Sequence, residues 1–222
     1  MKIDILIKNG IIFNGTLSEP LEADVGISFD KIVLIDNRSG IRGKSFRFSQ
    51  KPGKIIDAEG LSIAPGFIDT HAHSDFILFA DPRAEGKICQ GITTEINGNC
   101  GLSAAPLYGD ALYQREDDLK EFGIRERWST FKEYFNHLKK RGPSINFATL
   151  AGHGNIRASV KGYKDQELTK SDLKKSCILL MECIKEGAIG LSTGLIYPPG
   201  VYSKTDELIE MTRCCKYLIY AT

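Results

Sequence analysis

Two histidines stand two residues apart at the end of an apolar run, within the segment of residues 64–73. Side chains at positions i and i+2 of a β-strand point to the same face, so a strand here would place Asp69, His71 and His73 together. Neutral imidazole is a common ligand of catalytic divalent metals. The spacing therefore indicates a metal site at the end of a strand. The alternative is a surface loop that carries two of the four histidines of the chain.

Alternating strands and helices would have to position these residues. From residue 61 onward, the first strand is the histidine run, and further strands are predicted at residues 92–98, 145–151, 188–193 and 217–222. Helices are predicted at residues 81–90, after a capping box formed by Thr130 and Glu133, from about residue 169 to Gly187, and after Thr205. Residues 102–127 are expected to form a long polar connection. The candidate site residues all lie at the C-terminal ends of the strands.

The first 60 residues have a different pattern, which predicts a small β domain. Short strands are expected at residues 3–7, 11–13, 23–28, 31–36 and 54–58, and a long polar loop at residues 38–52. Asn9-Gly10 and Asn14-Gly15 favour hairpin turns because both residue types tolerate positive φ. We therefore expect an N-terminal β domain at residues 1–60, beside an α/β domain at residues 61–222.

Strands that alternate with helices predict a parallel sheet. A (β/α)₈ barrel also keeps its chemistry at the C-terminal ends of its strands. Residues 61–222 hold only strands 1 to 5 of such a barrel, so the chain is either the first half of a barrel or an open, doubly wound sheet.

Composition narrows the class of partner. The chain has 29 Lys and Arg against 28 Asp and Glu, a net charge of +1 and no basic run, so we expect neither nucleic-acid nor membrane binding and favour a small-molecule substrate. We do not expect the charged N-terminal residues to form a signal peptide. The six cysteines are irregularly spaced, which favours reduced thiols in a cytoplasmic protein over a disulfide framework.

Several motifs together carry a family resemblance. The β-rich beginning, the run P-G-F-I-D-T-H-A-H and the G-N-C-G of residues 98–101 resemble the amidohydrolase superfamily, and within it the N-acyl-D-amino-acid deacylases, or D-aminoacylases. The segments of residues 128–142, 152–157 and 187–200 are also similar to that family. The resemblance covers nearly the whole chain but only about the first half of a typical member. It implies the fold of the first half of a (β/α)₈ amidohydrolase barrel preceded by a small β domain.

The resemblance also implies a mechanism. One or two bound divalent ions, usually zinc, lower the pKa of a water molecule to about 7 and polarise an amide carbonyl. His71, His73 and Cys100 match three of the family's metal ligands. The family's remaining histidine ligands and its proton-transferring aspartate are expected beyond Thr222, so no catalytic residue is assigned within the chain.

The fourth strand provides an independent argument about the bridging ligand. Many related two-metal enzymes bridge their ions with a carboxylated lysine or a glutamate on strand 4, but residues 188–194 contain neither. A thiolate at Cys100 could supply that anion. Without the resemblance, Cys100 would be taken for an ordinary buried thiol.

Four further residues are candidates for supporting or substrate-binding roles. Asp69 could orient an imidazole, or it could make a purely structural hydrogen bond. His153 and Arg157, after strand 3, could meet an anionic substrate, or they could stabilise a loop. Tyr197, in a loop bounded by prolines, is a candidate substrate contact.

The predicted function is metal-dependent hydrolysis of the amide bond of N-acyl-D-amino acids, by a chain that is an incomplete portion of the enzyme. One alternative is a non-catalytic amidohydrolase-like scaffold or a truncated product. Another is a different amidohydrolase, such as a dihydroorotase or an isoaspartyl dipeptidase. The sequence leaves open the preferred acyl group and D-amino acid, the metal count and whether the protein forms a homo-oligomer.

Overall fold

The computed structural model describes residues 2–37, 51–216 and 218–222. These residues divide into two units, Met1–Pro65 and Gly66–Thr222, whereas the predicted boundary follows residue 60. The first unit is longer because the short strand β5 (Ser62–Ile63) pairs in parallel with β1 (Ile5–Ile12). Residues 38–50, which make up most of the predicted polar loop, lie outside the described residues.

The first unit is a mixed sheet in the order β3-β2-β1-β4, and β5 also lies beside β1. Strands β2 (Leu21–Ser28) and β3 (Lys31–Asn37) are antiparallel to their neighbours, and β4 (Lys54–Asp57) is parallel to β1. A small apolar cluster forms around Ile12, Ala23 and Val25. The predicted N-terminal β sheet is therefore present.

The predicted turn at Asn9-Gly10 is wrong, because β1 continues through both residues. The pairing of β1 with β2 changes register between Ile7 and Gly10, and Asn9 has a φ of +63°. A Cβ on Gly10 would lie 2.3 Å from Cδ1 of Ile63. The dipeptide therefore forms a β-bulge, which uses the same conformational freedom as a turn without reversing the chain.

The second unit contains parallel strands in chain order. β6 (Phe67–Asp69), β7 (Ile92–Asn97) and β8 (Asn146–Thr149) form one three-stranded sheet, and β9 (Ala151–Gly152), β10 (Gly190–Ser192) and β11 (Ile219–Ala221) form another. Only Leu150 separates β8 from β9. A doubly wound sheet reverses its strand order at a switch point, so this order matches consecutive strands of a (β/α) barrel instead.

Seven helices connect the described strands of this unit. They are α1 (Ile77–Ala80), α2 (Glu85–Ile88), α3 (Asp110–Glu121), α4 (Phe131–Arg141), α5 (His153–Lys161), α6 (Lys170–Lys185) and α7 (Thr205–Cys214). None of the described helices is long and apolar enough to cross a membrane.

The capping boxes confirm two predicted helix starts. In α4 the Thr130 side chain accepts from the backbone of Glu133, whose side chain accepts in return, and the helix ends at Gly142 with a φ of +65°. Thr169 and Asp172 form the same arrangement at α6. Each box satisfies two otherwise unpaired N–H groups at a helix start, so the boundary is encoded within four residues.

Other helix predictions are wrong for a physical reason. Within residues 81–90, where one helix is expected, only α2 (Glu85–Ile88) is helical, and α1 (Ile77–Ala80) lies before this span. α3 and α5 were not predicted. α3 lacks a capping side chain and buries only Ala111 and Leu119, and α5 begins with His153-Gly154, also without a capping side chain. Tertiary contacts, rather than local signals, stabilise both helices.

Candidate metal centre

His71 and His73 lie just after β6, which ends at Asp69. The prediction that both belong to the strand is therefore wrong. Their alternation persists nevertheless, because the intervening Ala72 is buried and donates its N–H to the carbonyl of Ile96 at 3.0 Å. Both imidazoles are exposed, and their ring centroids are 5.3 Å apart.

Cys100 lies in a tight turn after β7. Its φ is +55°, and Gly98 and Gly101 in the same turn have φ values of +72° and +71°. Gly98 is required by space as well as by φ, because a Cβ there would lie 2.1 Å from the carbonyl oxygen of Leu150. The Gly101 N–H donates to Oγ of Ser192 at 3.0 Å, which ties the turn to β10.

The structure brings the three predicted ligands together. Sγ of Cys100 is 3.3 Å from Nε2 of His71, and one ligand atom from each of His71, His73 and Cys100 lies within 4.8 Å of the others. Among the described residues, this is the only group of three or more His, Cys, Asp or Glu side chains with such spacing. Zinc ligands lie about 2.0–2.3 Å from the ion, so small side-chain rotations would let all three reach one ion. The donor set therefore fits zinc.

The electrostatics of the loop favour ligation by imidazole. Desolvation of the ring by neighbouring protein atoms, together with the charge of His71, lowers the pKa of His73, and the neutral ring is the form that binds metal. The pKa of Asp75 is raised to about 6 by complete burial. Asp75 accepts from the N–H of Ala104 at 3.3 Å, and its carbonyl accepts from the hydroxyl of Tyr134 at 2.8 Å. These hydrogen bonds fix the position of the loop that follows His73.

Comparison with known proteins gives this geometry a context. The model of the amidohydrolase family matches residues 54–197. The chain belongs to the amidohydrolase family. This amidohydrolase is 34% identical over 210 residues to the D-aminoacylase of Alcaligenes xylosoxydans xylosoxydans, a match that covers 95% of the chain and 41% of the relative.

Two solved structures resemble this amidohydrolase over almost its whole length. One is an N-acyl-D-glutamate deacylase from Bordetella bronchiseptica, complexed with zinc and a phosphonate inhibitor that mimics the tetrahedral intermediate. Its TM-score is 0.86 at 30% identity, covering 100% of this chain and 45% of that one. The other is a D-aminoacylase with a binuclear metal centre, with a TM-score of 0.81 at 32% identity, covering 96% and 43%. The chain thus spans less than half the length of these relatives.

The carboxylate of Asp69 in this amidohydrolase accepts a hydrogen bond from a backbone N–H rather than from an imidazole ring. Its Oδ1 accepts from the N–H of His71 at 3.1 Å, and its Oδ2 lies 2.5 Å from Nζ of Lys87. The hydrogen bond from Lys87 lowers the pKa of Asp69. Of the two predicted roles, the contacts match the structural hydrogen bond. Sequence reasoning missed Lys87, which no motif distinguishes from other helical lysines.

His153 and Arg157 form a buried ion-pair cluster with Glu207. Nε2 of His153 is 2.8 Å from Oε1 of Glu207, and a guanidinium nitrogen of Arg157 is 2.6 Å from Oε2. Both side chains are 1% exposed. Burial alone would raise the pKa of Glu207, but the hydrogen bond from His153 and the charge of Arg157 hold it below its usual value. These contacts match the alternative of loop stabilisation, and the role in contacting an anionic substrate stays a prediction.

Tyr197 contacts the metal-ligand turn. Its hydroxyl donates to the backbone carbonyl of Cys100. The ring is half-buried, and burial raises the pKa of the phenol, so the hydroxyl remains a donor at neutral pH. Substrate contact by Tyr197 stays a prediction, but the structure shows a second role in fixing Cys100.

Proposed function

We propose that this chain is part of a zinc-dependent deacylase that hydrolyses the amide bond of N-acyl-D-amino acids. The observation that carries the proposal is the convergence of His71, His73 and Cys100 within 4.8 Å. The relatives named D-aminoacylase and N-acyl-D-glutamate deacylase support the substrate class.

The proposed centre holds one or two zinc ions, with Cys100 as the anionic ligand. A bound zinc ion would lower the pKa of a water molecule to about 7 and polarise the scissile carbonyl. The chain's own residues prepare the ligand geometry. Neutral His73 is ready to bind, and Tyr197 and Ser192 hold the two sides of the turn that presents the Cys100 thiol.

Strand β10 favours a deacylase over a dihydroorotase or an isoaspartyl dipeptidase. Gly190–Ser192 contains neither a lysine nor a glutamate, so this strand cannot supply the bridging carboxylate expected of those enzymes. Ser192 instead accepts from the N–H of Gly101 and donates to the carbonyl of Gly98. The strand is therefore built to support the cysteine turn, which leaves Cys100 to supply the anion.

The test uses the protein encoded by the complete open reading frame that contains these residues. We expect hydrolysis of N-acetyl-D-amino acids, no comparable rate on the L-enantiomers, dihydroorotate or β-aspartyl dipeptides, and loss of activity on chelation with recovery on adding zinc. Cys100→Ser should lower both zinc content and kcat, whereas Cys89→Ser, at an exposed cysteine elsewhere, should change neither. Stoichiometric zinc without hydrolysis of any of these amides would instead support the non-catalytic scaffold.

A further inference from the structure

Lys87 connects the two strands that lead into the metal-ligand segments. It lies on α2, between β6 and β7 in the chain. Its Nζ is 2.5 Å from Oδ2 of Asp69 on β6 and 3.1 Å from Oε1 of Glu95 on β7. The Glu95 side chain is 0% exposed. One ammonium group therefore forms an ion pair with a carboxylate on each strand.

The carboxylate of Asp69 connects Lys87 to the backbone of His71. While Oδ2 of Asp69 pairs with Lys87, its Oδ1 accepts from the backbone N–H of His71 at 3.1 Å. The orientation of this carboxylate thus depends on Lys87, and the start of the ligand segment depends on the carboxylate.

The carboxylate of Glu95 connects Lys87 to the residue that follows His73. Ser74, directly after His73, donates its hydroxyl to Oε1 of Glu95 at 3.3 Å. The Ser74 N–H donates to Oδ1 of Asn97 at 2.6 Å, and the side-chain amide of Asn97 donates to Oε2 of Glu95 at 3.2 Å. Both ends of the ligand segment are thus connected to the same lysine.

The burial of Glu95 makes this arrangement dependent on Lys87. A buried carboxylate that loses its counter-ion must protonate, move or draw in water, because an unpaired buried charge is costly. Any of these responses would change its hydrogen bonds to Ser74 and Asn97. The effect of removing Lys87 should therefore reach the loop that carries both histidines.

We propose that Lys87 is a positioning residue that holds His71 and His73 in their metal-binding geometry through Asp69 and Glu95. The inference rests on the proposed metal centre. Residues that orient metal ligands typically contribute 10- to 100-fold in metal affinity. A purely structural ion pair would instead contribute to folding and leave affinity unchanged.

The test is cobalt(II) titration of the protein encoded by the complete open reading frame, monitored by the thiolate-to-cobalt charge-transfer absorption that ligation by Cys100 produces. Lys87→Met should bind cobalt about 10-fold more weakly than the unmodified chain. Lys161→Met is the matched control, because Lys161 pairs with Asp172 at 3.0 Å with similar exposure, 21% against 29% for Lys87, but on α5. The control should lose stability without losing cobalt affinity.

Two further variants keep the inference falsifiable if Lys87→Met folds poorly. Lys87→Arg retains the charge and should recover most of the affinity, and Asp69→Asn should weaken cobalt binding without adding its full effect to that of Lys87→Met. Unchanged affinity in Lys87→Met and Asp69→Asn would overturn the role of Lys87 while leaving the metal centre in place. If the unmodified complete protein shows no charge-transfer band, the metal centre itself is wrong and the inference with it.

Discussion

The hydroxyl of Tyr197 donates a hydrogen bond to the backbone carbonyl of Cys100, across a sequence separation of 97 residues. The loop after β10 thereby holds the turn after β7. Cys100 has a φ of +55°, a conformation that costs a non-glycine residue about 1 kcal/mol or more. Tyr197 therefore stabilises a backbone geometry that the turn alone would not favour.

Replacing Tyr197 with phenylalanine tests this relationship. The variant removes the donor and leaves a half-buried carbonyl without its partner, so we expect a loss of about 1 kcal/mol in the free energy of unfolding. We also expect a several-fold lower affinity for cobalt, measured by the thiolate charge-transfer band. Tyr113→Phe, at a ring that is 84% exposed, is the control. Equal cobalt affinities in the two variants would show that Tyr197 does not position Cys100.

Local sequence signals predicted the parts of the fold whose causes are local. The capping boxes of Thr130 with Glu133 and of Thr169 with Asp172 lie within four residues each, and both helix starts are confirmed. Asn9-Gly10 shows the limit of such signals. The same positive φ serves a turn or a bulge, and the contact of Gly10 with Ile63 decides between them.

The supporting contacts of the site depend on distant residues, and this explains what was missed. His153 and Arg157 belong to a recognisable motif, but their roles are determined by Glu207, 50 or more residues away. Lys87 is an ordinary helical lysine until β6 and β7 place Asp69 and Glu95 beside it. His71, His73 and Cys100 could be named from sequence because the motifs that carry them together resemble those of one family, and their role in binding metal stays a prediction.

Asp172 should contribute an acid-dependent part of the stability. Hydrogen bonds from Thr169 and Lys161 lower its pKa from 3.8 to about 2. Because the folded-state pKa is below the unfolded value, the contribution is fully present above about pH 4 and is lost as the pH falls towards 2. We expect Asp172→Asn to cost about 1–2 kcal/mol at pH 6, after allowance for partial exposure, and much less at pH 2.

Urea unfolding at a series of pH values measures this difference. Asp117→Asn, at a side chain that is 92% exposed, should give a nearly constant and small difference from the unmodified chain. A difference for Asp172→Asn that did not shrink between pH 4 and pH 2 would contradict the assignment.

Glu207 should matter for folding rather than for metal binding. Its carboxylate is the shared partner of His153 and Arg157, and all three side chains are at most 6% exposed. Glu207→Gln would leave a buried guanidinium without its counter-charge, so we expect a loss of about 3 kcal/mol. Glu210→Gln, whose partner is the exposed Arg213, should cost less than about 0.5 kcal/mol.

Measuring cobalt affinity distinguishes a role of Glu207 in folding from a role in the metal site. Glu207→Gln should retain the affinity of the unmodified chain under conditions where both are folded. If Glu207→Gln is folded under the assay conditions but binds cobalt much more weakly than the unmodified chain, the buried cluster influences the metal centre. Our assignment of Glu207 to folding alone would then be wrong.

Gly98 should be the least replaceable glycine of the cysteine turn. Two separate requirements coincide there: φ is +72°, and a Cβ would lie 2.1 Å from the carbonyl oxygen of Leu150. Gly123 has a similar φ of +65°, but a Cβ there would meet nothing within 4 Å. Comparing the two alanine variants therefore separates backbone strain from steric contact.

We expect Gly123→Ala to cost about 1 kcal/mol, the price of a positive φ alone. Gly98→Ala should cost roughly 2–4 kcal/mol because the backbone at Leu150 must also move. That movement would displace the turn carrying Cys100, so the thiolate-to-cobalt absorption should weaken in Gly98→Ala and stay unchanged in Gly123→Ala. Equal unfolding free energies for the two variants would mean that the turn tolerates a Cβ at Gly98, and that the close approach to Leu150 is not needed to position the ligand.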